Sequence, residues 1–577
     1  MGATLWHRLV MCGGFFSWVG RALPLAVLTS TLLPVESRSQ VDPDVEQRID
    51  AIFSAWDRAD SPGAAVAVVR GGRLVFAKGY GSAQLEYRIP ITPQTPFHVA
   101  SEAKQFTAAG VLLLAERGTL DLDDDVRRWI PEIPDFGTSI TIRHLLNHTS
   151  GLRDQWQALA LAGRYGDDAI TTDDVLRMVT RQRALNFSPG ATELYSNTGY
   201  TLLAEVVERA SGQSFRDFAY QEIFEPLGMT RTHFHDDLEE PIAGRAYSYG
   251  HAAGSERFER RILNYAVPGP TSLFTTVEDM ARWLANFDDP VVGGPEIMER
   301  LHTRDTLNDG DEVLWGYGLN IGEHRGLVRI GHGGGDAGFR AWSVRFPDHD
   351  LGIVVLANSS SINPGPFGDA LALAVADLFL PAAVAPDEPA ASAPEGPTIE
   401  EDDYVGSYAG HDGRVVNVTN EYGVLKAWEP QAEDKVALEP ITATEFRAIA
   451  DSIGRVEFAI ENGRPARLRI EGAGWTWEGR PVEPVAPAGL DAVVGRYYSD
   501  ELETMWALAL DESGGLVARH LMHEDIPLTP VVRDLFEGDA WFLQEVRIVR
   551  GKHREVIGLR VSAGRIKNVE LRRIGSS

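Results

Sequence analysis

The sequence predicts an α+β domain, with an antiparallel sheet flanked by helices and a helical subdomain, followed by two small antiparallel β-barrels. Three observations predict it. Strand patterns stand at both ends of residues 40–380, with helical patterns between them. Residues 381–400 hold five prolines and little apolar bulk, which marks a linker. Beyond it, helical periodicity gives way to short strands that repeat once at a shift of 90 residues. Several domains are also required by size, because single cores stop growing near roughly 250–300 residues and this chain has 577.

The chain opens with residues 1–39, which contain Arg8 and Arg21, no acid before Glu36, and an apolar stretch over residues 22–35. This pattern predicts a secretory signal peptide and a periplasmic or secreted protein. The uninterrupted apolar stretch is too short to span a bilayer, so no stable membrane insertion is expected after its removal. Cys12, the single cysteine, falls inside this segment. The mature chain would then have no thiol for disulfides, catalysis or metal binding. The formal charge is −29, and it becomes −31 without residues 1–39, which carry three Arg and one Glu. That balance argues against a nucleic-acid partner, and an acidic surface would weakly favour cationic ligands.

Residues 40–380 form the first folded unit. "GAAVAVVRGGRLVFAKGYG" (63–81) reads as two strands joined at Gly71-Gly72. "FRAWSVRF" and "LGIVVLAN" (339–346 and 351–358) read as a second pair, joined by the turn residues 347–350. The first and last strands are expected to meet in one antiparallel sheet, with a helical subdomain between them. Residues 401–484 and 487–577 would each be a barrel. "YVGSY" (404–408) recurs as "VVGRY" (493–497), and Leu438-x-Pro440 with Phe446 recurs as Leu528-x-Pro530 with Phe536. Gly463-Arg464 is paired with Gly564-Arg565 at a larger shift, as an insertion would produce.

"FHVASEAKQFTAAGVLLLAERG" (97–118) is the first candidate for chemistry. Ser101 and Lys104 share one face at the head of an apolar helix that Gly118 stops. A helix N-terminus stabilises developing negative charge, and a desolvated lysine can accept a serine proton. The alternative is Ser101 as an N-cap with Lys104 reaching solvent. The segment alone leaves both readings open.

Two further stretches close the choice. Tyr195-Ser196-Asn197 precedes a helix, and His332-Gly333-Gly334-Gly335 precedes a strand. With these in order, residues 45–380 resemble the penicillin-recognising serine hydrolases, which include class C β-lactamases, D-aminopeptidases, D,D-peptidases and related esterases. "TIRHLLNHTSGL" (141–152), "FEPLGM" (224–229) and "TTVEDMARW" (275–283) look like framework segments of that family. The resemblance implies a β-lactamase-like, transpeptidase-like fold and an enzyme without a cofactor or metal. It implies Ser101 as nucleophile, Lys104 as proton acceptor and Tyr195 as a partner that serves the leaving group. Asn197 would bind the substrate amide, and His332, Gly333, Gly334 and Gly335 would line the substrate strand. The N–H groups of Ser101 and Gly335 would form the oxyanion hole.

His332 stands where lactamases of that family carry lysine. Histidine is mostly neutral near pH 7, so a carboxylate-anchored substrate is less favoured than amides, N-terminal peptides or esters. D-aminopeptidases look similar both in this histidine and in carrying two C-terminal barrels. The expected substrate is therefore a small peptide or amide, with a carboxylesterase or β-lactamase as the alternative. The barrels are expected to shape the active-site mouth, with stabilisation or homodimer contact as their competing roles. Other candidates are weaker. His144 and His148 sit at helical spacing without a following Glu, and "THFHDD" (232–237) lacks a clear third metal site. Tyr247, Tyr249, Trp315 and Tyr317 are aromatic candidates for the pocket wall.

Overall fold

The apolar runs at residues 64–70 and 351–357 are buried at nearly every position, as strands covered on both faces must be. β1 (Ala64–Arg70) and β2 (Arg73–Tyr80) form the expected hairpin, turning at two glycines with positive φ. The other four strands of the sheet come from the far end of the domain. They are β3 (Asn320–His324), β4 (Leu327–Asp336), β5 (Phe339–Phe346) and β6 (Leu351–Ala357). The order is β3-β4-β5-β6-β1-β2, and every neighbouring pair is antiparallel. β1 pairs with β6 from Ala64↔Ala357 to Arg70↔Leu351, so the first and last strands close the domain as predicted.

This computed structural model describes residues 41–164, 168–252, 254–362 and 369–381. It also describes residues 404–575, apart from turns at 411–413, 422–423, 430–434, 443, 451–452, 462–463, 473–474 and 483–488. The segment expected to be a signal peptide, with Cys12, and nearly all of the expected linker lie outside the described residues. Among the described residues, no helix is long and apolar enough to cross a membrane.

Alternation along β1 assigns its residues to two layers. Val66 and Val68 pack with Ile49 and Phe53 of α1 (Pro43–Phe53) and with Leu371 and Val375 of α5 (Ala370–Ala376). Ala65 and Ala67 face the other way, into the core that holds Phe106 of α2 (Ala103–Glu116) and Trp283 of α4 (Val277–Asn286). α2 is buried continuously from Ala103 to Leu114. That all-round burial explains its apolar sequence. Gly110 lets Phe218 approach, since an added Cβ would stand 3.3 Å from that ring.

The C-terminal region folds as two closed eight-stranded antiparallel barrels. One runs from Gly406–Gly410 to Trp475–Val482, the other from Gly495–Ser499 to Ile566–Ile574. Closure leaves no unpaired edges. The repeat holds residue by residue. Pro440 pairs with Phe446 as Pro530 pairs with Phe536, and Leu438 with Ala448 as Leu528 with Gly538. Tyr408 Oη donates to Tyr404 O, and Tyr497 Oη donates to Val493 O, each four residues back. The glycine–arginine pairing is corrected. Arg464 opens the seventh strand of its barrel, whereas Gly564-Arg565 forms the turn before the eighth. The two dipeptides are not equivalent, and no insertion relates them.

The second barrel is fused to the first domain through a shared apolar core that includes Trp506, Phe542 and Leu543. Trp506 Nε1 donates to Leu161 O at 2.9 Å, and His523 Nε2 lies 2.7 Å from Ala160 O. Arg153 and Glu501 form an ion pair at 2.6 Å, with side chains only 3% and 7% exposed. The first barrel has its own core and meets the second through Val415, Val531 and Leu535.

Candidate active site

Ser101 lies in a 3₁₀ turn (Ala100–Glu102) that leads directly into α2. The residue before it, Ala100, has φ +48°, a left-handed conformation that costs a non-glycine residue about 1–3 kcal/mol. Such strain persists only where the surroundings fix it. Here Glu102, fully buried, accepts from Ser343 N and from Ser343 Oγ at 2.6 Å, and Gln105 Nε2 donates to it at 2.5 Å. The turn is thereby tied to β5. Burial pushes the Glu102 carboxyl up to about 8.

Lys104 does not reach solvent; it is fully buried. Its Nζ is 3.1 Å from Ser101 Oγ, and donates to Asn197 Oδ1 and Pro270 O, both at 2.9 Å. Desolvation holds its pKa well below the ordinary lysine range, with Arg565 pushing the same way and Asp154 opposing. A neutral amine has two N–H groups and one lone pair. The two carbonyls take the two donors, and the lone pair is left for the serine hydroxyl. Gly318 packs directly against the backbone of this helix, because a Cβ there would stand 2.7 Å from the Lys104 main-chain carbonyl.

Tyr195 sits half-buried in the loop before α3 (Asn197–Ser211), with its ring centroid 4.8 Å from Lys104 Nζ. Asn197 is the first residue of that helix, capped by Ser196. Asp154 fixes it: Oδ2 accepts from Asn197 N at 2.8 Å and Nδ2 at 2.9 Å. His148 braces the tyrosine with ring centroids 4.4 Å apart, and its Nδ1 accepts from Ser196 N. Trp315 completes the wall, 5.3 Å from Tyr195 and 4.9 Å from His332.

His332, Gly333, Gly334 and Gly335 lie inside β4, not before a strand as the sequence suggested. Glycine lacks β-propensity, but the ladder from Gly333↔Trp342 to Gly335↔Arg340 holds these residues extended. β3 covers β4 only from Leu327 to Gly331, so among the described residues no strand lies on the outer edge from His332 onward. Gly334 permits the close approach to the serine turn: an added Cβ would stand 2.0 Å from Val99 O. Burial and nearby Lys104 push His332 down to about 3. Its Nδ1 lies 2.6 Å from Gly333 O, which assigns the proton to Nδ1 and leaves Nε2 as a buried acceptor.

The structure thus brings Ser101, Lys104, Tyr195, Asn197 and His332 together, with Gly334 of the glycine run against the serine turn. Sequence reasoning missed Asp154, weighed His148 only as a metal ligand and read Arg565 only as part of the barrel repeat. Asp154 was detectable as an N-cap before "QWQALAL", but its second oxygen serves Asn197. Arg565 arrives from the second barrel. Its turn, Gly564-Arg565, is held by Arg565 N donating to Gln157 Oε1 at 2.5 Å. Arg565 O accepts from Asn186 Nδ2 at 2.9 Å and from Asp154 N at 3.2 Å. The guanidinium carbon lies 4.8 Å from the Tyr195 ring centroid.

Other sequence candidates sort by their partners. Tyr317 is buried with its hydroxyl donating to Asp305 at 2.6 Å, and Tyr249 donates to Glu86 at 2.5 Å; both serve the framework. Tyr247 faces Arg260, whose guanidinium carbon lies 4.1 Å from its ring. His144 caps its own helix through Nδ1. His233, His235 and Glu240 bring ligand atoms within 4.8 Å of one another. Arg216 already donates to both oxygens of Glu240, and Arg245 adds a second cation beside His235. That positive charge opposes a divalent ion.

Comparison with known proteins follows the same outline. Residues 47–378 match the family described as Beta-lactamase. Penicillin-binding protein 4* of Bacillus subtilis (strain 168) is 30% identical over 431 residues, covering 72% of this chain and 94% of the relative. The D-aminopeptidase of Cereibacter sphaeroides (strain ATCC 17029 / ATH 2.4.9) is 26% identical over 556 residues, 91% of this chain and 99% of the relative. Among solved structures, the D-amino acid amidase from Ochrobactrum anthropi SV3, complexed with L-phenylalanine amide, superposes with a TM-score of 0.50 at 25% identity. It covers 58% of this chain and 98% of that one.

Proposed function

The chain belongs to the Beta-lactamase family, and from that premise we propose that it is a serine hydrolase cleaving amide bonds of peptides or amino-acid amides through an acyl-enzyme on Ser101. The observation that carries this is Lys104, fully buried beside Ser101 Oγ, with two carbonyls taking its two N–H groups. The serine proton passes to Lys104 Nζ as Oγ attacks the substrate carbonyl. Ser101 N and Gly335 N receive the developing oxyanion. Tyr195 gives its hydroxyl proton to the leaving nitrogen as the C–N bond breaks and takes the proton held on Lys104 in return, which restores both groups. Water then repeats the sequence against the acyl-enzyme. The substrate lies along the edge of β4 beyond Gly331, where the strand offers main-chain groups as a β-strand partner would.

The likeness to a D-aminopeptidase and a D-amino acid amidase supports D-residues among the substrates of this chain. Neutral His332 is consistent with a site that holds amides without a lysine at that position. Export follows from residues 1–39 as a proposal of its own. The test is covalent labelling by a fluorophosphonate with mass mapping, beside a panel of D- and L-aminoacyl amides, short peptides and p-nitrophenyl esters. Labelling at Ser101 and amide turnover that Ser101→Ala abolishes are expected. Labelling elsewhere overturns the mechanism, and ester turnover with no amide or peptide turnover would replace the peptidase by a carboxylesterase.

A further inference from the structure

The glycine run of β4 ends in a carboxylate that the mechanism above leaves unused. Asp336 is the last residue of that strand and directly follows Gly335. Side chains alternate along a strand, so Asp336 points to the same face as His332 and Gly334. That face meets the serine turn, since an added Cβ on Gly334 would stand 2.0 Å from Val99 O. A neighbouring loop ties Asp336 to the same place. Lys104 Nζ donates to Pro270 O at 2.9 Å, and the next residue, Thr271, donates from Oγ1 to Asp336 Oδ2 at 3.4 Å.

Asp336 is half-buried and weakly satisfied. Its contact with Thr271 is longer than the ordinary O–H···O range of about 2.5–3.0 Å. Among the described residues, no lysine or arginine forms an ion pair with it. Two nearby bases are held toward the neutral form by burial: Lys104, and His98, whose Nε2 lies 3.4 Å from Thr271 Oγ1. Arg340 stands on the opposite face, where a Cβ on Gly335 would lie 3.5 Å from its Nη1, and that Nη1 donates to Phe339 O at 2.7 Å. Burial pushes the Asp336 carboxyl up to about 8, with the Ala337 backbone and Arg340 opposing. A cation brought beside it would favour the charged form.

The direction of the substrate places one there. Tyr195 serves the leaving nitrogen, and its ring centroid lies 6.2 Å from that of His332, at the near end of the glycine run. Gly335 N, further along, receives the oxyanion. A strand advances about 3.3 Å per residue, so Asp336 stands one step past the oxyanion donor and away from the leaving group. That is the acyl side of the scissile bond. In an aminoacyl substrate the α-nitrogen lies on that side, two bonds from the carbonyl carbon. An α-amine titrates at about 7.7–8.0, so it is mostly ammonium at pH 7.

We propose that Asp336 anchors the α-ammonium of the substrate, which makes peptides and amino-acid amides with a free N-terminus the preferred substrates and their first residue the one released. This rests on the acyl-enzyme reading of Ser101. It also gives the cationic ligands expected from the acidic composition a specific partner inside the site.

The experiment uses the full chain with D- and L-alanine p-nitroanilide, their N-acetyl forms and propionyl p-nitroanilide, which share one scissile bond and one leaving group. For the enantiomer that turns over, wild-type kcat/KM should favour the free amine over both the N-acetyl and the propionyl compound. Asp336→Asn should reduce the amine-to-propionyl ratio by roughly 10- to 100-fold, the range expected for a lost charge-assisted hydrogen bond. Asp336→Glu should recover part of it. If no anilide turns over, the ratio is read from inhibition of p-nitrophenyl acetate hydrolysis by alanine amide and by propionamide, with alanine amide the stronger inhibitor of wild type alone. A wild-type ratio near one, a preference for the N-acetyl form, or equal loss on both substrates in Asp336→Asn would overturn the anchor. Failure of the acyl-enzyme reading looks different: neither ester nor anilide turnover would depend on Ser101.

Discussion

Replacing Glu501 by alanine should loosen the second barrel from the catalytic domain far more than a surface ion pair would suggest. An exposed pair is worth about 0–1 kcal/mol, because water and salt screen it. Here the Arg153 and Glu501 side chains are 3% and 7% exposed and bonded at 2.6 Å. In the variant, Arg153 keeps Asn186 Oδ1 at 3.1 Å and the Lys567 carbonyl, but loses the Glu501 carboxylate while staying buried. Breaking one side of such a pair costs about 3–5 kcal/mol. The readout is amide exchange at Arg565 and Lys567, whose N–H groups cross the interface to Gln157 and Asn186. Exchange should accelerate by roughly two to three-and-a-half decades, at about 1.4 kcal/mol per decade. Removing both charges together, as Arg153→Met with Glu501→Leu, should restore protection to within about tenfold, because a well-packed apolar pair removes the stranded charge. Acceleration below tenfold in the single variant, or a double variant as loose as the single, would refute the assignment of docking energy to this pair.

Three further outcomes follow from the site. Gly334→Ala should lower kcat by roughly 10²- to 10³-fold, the scale of a misplaced oxyanion donor, because its Cβ would stand 2.0 Å from Val99 O; wild-type rates from a folded variant would contradict the close approach. Tyr195→Phe should abolish peptide turnover while sparing much activated-ester cleavage, since only the amide needs leaving-group protonation; equal losses on both would remove that role. Glu102 has its folded pKa raised from 4.5 to about 8. In that window the native state holds the proton that the unfolded chain releases, so this contribution is full below pH 4.5 and is lost as pH rises through 8. Urea unfolding at pH 5 and pH 8.5 should show a larger fall for wild type than for Glu102→Gln, and parallel falls would sink the assignment.

The sheet and both barrels were legible because burial writes itself into sequence directly. Val66, Val68, Ile353 and Val355 sit in unbroken apolar runs since both faces of their strands are covered. The barrels showed through a repeat whose partners, Pro440 with Phe446 and Pro530 with Phe536, turned out to be cross-strand neighbours. The three motifs were legible as a candidate site, yet their local geometry was not. His332–Gly335 carries no strand signal, and only the β5 ladder makes it a strand. Ser101 falls in a strained 3₁₀ turn that no propensity would favour, held by Glu102 reaching across to Ser343.

The charge of the site was the least legible feature, and the reason is range. A net charge of −29 invites cationic ligands, but exposed charges are screened beyond about 8 Å at physiological ionic strength. What a substrate meets at Tyr195 is set by neighbours within that distance: a lysine and two histidines held toward neutrality by burial, and one arginine that cannot be neutral. Arg565 lies 370 positions beyond Tyr195 in sequence, at the tip of a hairpin with no motif of its own. Its nearest sequence match, Arg464, opens a different strand, so comparing the two barrel copies directs attention away from it. Only the docking of Gln157, Asn186 and Asp154 onto that turn brings an unremarkable Gly-Arg beside Tyr195 of the candidate site. The electrostatic surroundings of Tyr195 are consequently a property of how two domains meet, since one of its charged neighbours arrives from the second barrel.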